Sequence, residues 1–114
     1  METKNLANLI VKHFDFLTQE HGFEYDISAH QYSKEKLQIE VQHVSGELNV
    51  LFKVDKKSTS FEEVMSVILK RAFTYPDHFS SWVLSMGDVD SRLAYDAKLM
   101  KEHATKLFTR DLVL

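Results

Sequence analysis

The sequence predicts a single α+β domain of order α-β-β-β-α-(α)-α, a three-stranded antiparallel meander with helices packed on one face. Three features carry that reading. Residues 4–21 repeat their apolar side chains with a helical period, the period switches to two after Gly22, and two alternating segments flank Ser45-Gly46 in one consistent register. Residues 1–114 are expected to form one domain, because a chain of this length buries enough surface for a core without staples.

In the first helix, Leu6, Leu9, Ile10, Phe14 and Leu17 share one arc, with Ala7 and Phe16 at its edges. Lys4, Asn8, Lys12, Asp15 and Gln19 fall opposite, and Gly22 supplies the stop. Phe23, Tyr25, Ile27 and Ala29 then alternate with polar residues, as in a half-buried strand. The alternation breaks over 30–36, where Tyr32 has the wrong parity, so a turn or bulge is expected there.

The next segment is the most informative. With Ser45-Gly46 as a two-residue hairpin loop, Leu37 faces Val54, Ile39 faces Phe52, Val41 faces Val50 and His43 faces Leu48. Gln38 and Lys53 fall together on the other side, as do Gln42 and Asn49. A slip of one residue would expose every apolar side chain.

Residues 55–59 read as a polar turn. Ser60-Phe61-Glu62-Glu63 has the form of a capping box, opening a helix expected to run to about residue 74. Its apolar positions cover more than half the circumference, which predicts packing on two sides. Pro76 ends it, residues 77–86 read as a short helix or irregular segment, and a last helix is expected over 89–108. The last helix carries a stripe of Val89, Leu93, Ala97, Met100, Ala104, Leu107 and Phe108.

Composition removes several function classes. The absence of cysteine excludes disulfides, thiolate metal sites and a thiol nucleophile. Seventeen acidic against 14 basic residues give no pull toward nucleic acid or an anionic membrane, so neither is expected as a partner. The opening Met1-Glu2-Thr3-Lys4-Asn5 lacks the parts of a secretory signal, and a cytoplasmic location is expected. Three glycines, each used as punctuation, leave no loop to cradle a phosphate, and no nucleotide, hydrolase or kinase motif occurs.

The order α-β-β-β-α resembles that of double-stranded-RNA-binding domains. Those carry lysines at the start of the second helix, where this chain has Glu62 and Glu63, which would repel phosphates.

Six histidines are the obvious chemical candidates. His13 lies within the apolar arc of the first helix and shares a face with His21, while His43 lies on the core side of its strand. No helical pair has metal-ligand spacing, and a histidine on an apolar face is more often a satisfied rim residue, so no metal or cofactor is expected. Asp88-Val89-Asp90 begins like a calcium loop but lacks its glycine and closing glutamate, which leaves Asp88 or Asp90 as helix caps. Arg92, Asp96 and His103 line one flank of the last helix, and Arg92–Asp96 reads as an ordinary surface pair.

What remains is aromatic surface. Tyr75, Phe79 and Trp82 cluster in the least regular segment and are the first candidates for binding a protein partner. Tyr95 and Leu99, one turn apart on the last helix, are a second candidate contact, for self-association into a homodimer. Core packing is the plainer role for Tyr75, Phe79 and Trp82.

Phe14-x-Phe16-Leu17 through Gly22-Phe23, followed by a strand and a regular hairpin, resembles the opening of small bacterial α+β proteins. Some of these are grouped with the immunity proteins of toxin–immunity systems. The resemblance covers about a third of the chain, rests on apolar spacing and one glycine, and transfers no site residue. The expected function is therefore a non-enzymatic protein-interaction module of immunity type. The alternative is a small-molecule-binding or hydrolytic domain with a pocket between sheet and helices, using His13, His43 or Asp96.

Overall fold

The computed structural model describes residues 3–44, 47–76 and 86–108. It is α+β, with a sheet of five antiparallel strands in the order β1-β2-β3-β4-β5. Helix α1 (Thr3–His21) precedes β1 (Glu24–Asp26), β2 (Gln31–Lys34), β3 (Leu37–Val44), β4 (Glu47–Val54) and β5 (Lys57–Ser60); α2 (Phe61–Leu69), α3 (Met86–Glu102) and α4 (Ala104–Leu107) follow.

Helix α1 closes as its glycine predicts. Gly22 takes φ 75°, and the amides of Gly22 and Phe23 donate back to the carbonyls of Thr18 and Leu17. Leu6, Ile10, Phe14 and Leu17 are buried.

The expected three-strand meander is corrected to five strands. The segment after Gly22 is a hairpin, not one strand. Asp26 ends β1 by accepting from both the amide and the hydroxyl of Ser28 (3.0 and 2.7 Å), and His30 turns the chain back at φ 50°. Ile27 is left 60% exposed in that turn rather than facing the core. Tyr32, whose parity is wrong for one continuous strand, is right for β2: it pairs with Tyr25 and Ile39 and is buried.

The second added strand comes from the supposed polar turn. Only Asp55 and Lys56 form the loop, with Asp55 at φ 55°, and Lys57–Ser60 then pair with β4. Ser60 ends the strand in an extended conformation and caps α2, its hydroxyl accepting from the Glu63 amide at 3.2 Å.

Between β3 and β4 the expected register is observed at every pair, from Leu37–Val54 through Ile39–Phe52 and Val41–Val50 to Val44–Glu47. Residues 45 and 46, the expected tip, lie outside the described residues.

Helix α2 ends earlier than expected. Lys70 adopts the left-handed conformation (φ 57°), its amide donating to the carbonyls of Ser66 and Val67, so the stop precedes Pro76 by a turn and a half of chain. Val67 is 58% exposed, so the helix does not pack on two full sides. The expected last helix is divided at His103 into α3 and α4, with Val89, Leu93, Ala97, Met100 and Leu107 all buried. The expected 77–86 segment lies outside the described residues except for its last residue.

The core joins α1, α2, α3 and α4 to the inner face of the sheet. Phe14 of α1 meets Tyr32 edge to face, and Phe61 of α2 lies 6.2 Å from Phe52. No described helix is long and apolar enough to cross a membrane.

Candidate functional site

Burial alternates from Leu37 to Gln42 on β3 and from Glu47 to Lys53 on β4, and residues facing away from the helices are exposed or half-buried. That outer face is polar. It carries Glu24 and Asp26 on β1, Glu40 on β3, Glu47 and Lys53 on β4, with Val44 67% exposed at its end. Lys53 binds Glu40 across the strands, and the Gln42 amide donates to the same carboxylate at 2.9 Å. Partial burial opposes the Glu40 charge, but these two donors outweigh it and hold the carboxyl below its usual range. Lys53, the one ammonium that the described residues place on this face, is thus already neutralised, and among the described residues no cation pairs with Glu24, Asp26 or Glu47.

A second polar feature lies inside. Beyond α2 the chain folds back on that helix: the Ser66 hydroxyl donates to the Glu62 carbonyl (2.8 Å) and accepts from the Phe73 amide (2.9 Å). This places the rings of Phe73 and Tyr75 on Phe61. The Tyr75 hydroxyl then donates to Asp96 Oδ1 at 2.7 Å, and the Arg92 guanidinium lies 3.9 Å from the Tyr75 ring centroid. Arg92 and Asp96 are 4% and 0% exposed, which corrects the expected surface pair: Tyr75 covers this flank of α3.

Burial pushes the Asp96 carboxyl up to about 7, with Glu62 adding to the rise and the Tyr75 bond and Arg92 opposing it. Burial, then the Asp96 charge, likewise raises the Tyr75 phenol. Among the described residues, Asp96 Oδ2 and Arg92 Nε have no hydrogen-bond partner.

The structure brings together some of the sequence candidates. Tyr75 is half-buried and its ring lies 5.9 Å from that of Tyr95. Leu99, also half-buried, packs against the core. Phe79 and Trp82 lie outside the described residues. His13 is held by Asp90, and His43 is half-buried opposite Leu48; neither is placed with Asp96 by any contact. Asp90, expected as a cap, lies inside α3 and instead binds α1. Among the described residues no three metal-ligating side chains gather.

The sequence held no local signal for the Tyr75–Asp96 bond, whose partners are 21 residues apart. Compared with known protein families, characterised proteins and solved structures, the chain shows no match.

Proposed function

We propose that this chain is a non-enzymatic protein-interaction module of immunity type, engaging its partner through the outer face of the sheet. One observation carries the reading: the described helices pack on the inner face, leaving a five-stranded polar surface uncovered by any described element. Four carboxylates against one ammonium on that face suit a partner presenting lysine and arginine. Such charge complementarity speeds encounter and excludes acidic competitors, and it weakens as salt rises.

The test is affinity capture from the native host with wild type and with the double variant Glu24→Lys/Glu47→Lys, both verified as folded by circular dichroism. The reading expects a stoichiometric partner that the double variant loses and that elutes with salt. Capture unchanged by the double variant overturns the sheet-face assignment. Capture lost instead with Tyr95→Ala or Leu99→Ala moves the interface to α3.

A further inference from the structure

The outer sheet face leaves one buried group without a role. Asp96 is fully buried, yet among the described residues its carboxyl is matched by a single neutral donor, the Tyr75 hydroxyl, while its other oxygen has none. The residue supplying that donor belongs to no helix or strand. Tyr75 lies in the connection that leaves α2, and it touches Phe61 of α2 together with Arg92, Tyr95 and Asp96 of α3. Tyr75 is therefore a pillar between two helices, and its bond to Asp96 is the polar end of that pillar.

We propose that Asp96, buried under Tyr75 and beside Arg92, is a proton-sensitive latch: residues 70–76 dock onto α3 over the protonated carboxyl, and the docking loosens when Asp96 loses its proton, because burying the charge costs more than its bond to Tyr75 and the Arg92 charge return. Among the described residues, the charged and titratable groups facing Asp96 are Glu62 from α2, the Tyr75 hydroxyl from the connection and Arg92 from its own helix. Glu62 disfavours the ionised carboxylate, and Arg92 and Tyr75 favour it. The unpaired Oδ2, buried away from water, makes the charge expensive to keep.

Opening the connection hydrates Asp96 and returns it toward an ordinary carboxylate pKa of about 4. The docked form holds its proton up to about 7. Between those limits the open form binds fewer protons, so each rise in pH shifts the balance toward opening by as much as about tenfold per unit. Above the docked value both forms are ionised and the effect levels off. The latch is closed in mild acid and loosened at neutral and alkaline pH. This inference is independent of the sheet-face reading.

Two measurements test it on the full chain. The side-chain carboxyl carbon of Asp96, followed by NMR in wild type, should titrate near neutrality; a midpoint below about 5 overturns the proposal. Amide exchange over 71–75, corrected for the intrinsic rate, should lose at least about tenfold of its protection between pH 5 and pH 8. Asp96→Asn retains an acceptor for Tyr75 and cannot ionise, so its protection should be flat across that range. Wild-type protection that does not change, or an equal slope in Asp96→Asn, also overturns the latch. If the variant fails to fold, the carboxyl titration of wild type decides alone.

Discussion

His13 of α1 and Asp90 of α3 meet with Nε2 and Oδ1 2.5 Å apart, and the Lys12 ammonium approaches the same oxygen at 3.2 Å. The contact is a polar clasp on the rim of the apolar α1–α3 packing. It explains why a histidine sits within the apolar arc of α1: the ring reaches across to a carboxylate on the neighbouring helix.

The clasp sets a pH dependence of opposite sense to that of Asp96. His13, then Lys12, holds the Asp90 carboxyl below its usual range. A depressed folded pKa contributes stability above the unfolded value and loses it as pH falls through the folded one. Asp90→Asn should therefore melt slightly below wild type at pH 7, the effect being small because the Asp90 carboxylate and the Lys12 ammonium are open to solvent. The two melting curves should converge below about pH 4; a gap that persists in acid would show that the contact is steric rather than electrostatic.

The register of β3 and β4 makes the two faces energetically unequal. Phe52 is fully buried opposite Ile39, whereas its neighbour Leu51 looks outward and is half-buried. Phe52→Ala should cost about 3–5 kcal/mol by denaturant unfolding, and Leu51→Ala less than about 1.5 kcal/mol. Similar costs for the two would contradict the face assignment.

Ser60 serves the sheet and the helix at once. Removing its hydroxyl leaves the Glu63 amide without its cap acceptor, so Ser60→Ala should destabilise by about 1 kcal/mol. Ser60→Asp restores an acceptor and adds negative charge at the positive end of α2, and it should recover most of the loss in the same unfolding assay. An alanine variant as stable as wild type would mean that the cap contributes nothing.

Lys70 pays for its left-handed backbone at the end of α2. The conformation costs a non-glycine residue about 1–2 kcal/mol, and glycine loses about 0.4–1 kcal/mol of that advantage through its freer unfolded chain. Lys70→Gly should therefore stabilise the protein by up to about 1 kcal/mol, read as a raised denaturation midpoint with unchanged slope. A lowered midpoint would show that the lysine side chain makes a contact worth more than the backbone strain.

The elements legible in the sequence are those whose apolar residues repeat with the period of the backbone. Leu6, Ile10, Phe14 and Leu17 mark one face of α1, and Ile39, Val41, Val50 and Phe52 mark the inner face of a hairpin whose register admits no slip. In both cases the hydrophobic effect acts on neighbouring residues, so local spacing carries the information. The rest depended on what lies beside each segment in space. Lys57–Ser60 has no apolar alternation, and becomes a strand because the backbone of β4 offers it hydrogen-bonding groups. Tyr32 reaches the core only because Asp26 and His30 reverse the chain ahead of it. Arg92 and Asp96 show the same limit at the candidate site. Four residues apart on a helix they read as a solvated pair, but in the fold both are buried and Tyr75, 21 residues before Asp96, lies against them. Burial of a polar group is set by the segment that covers it, and that covering is decided by the tertiary fold rather than by local period.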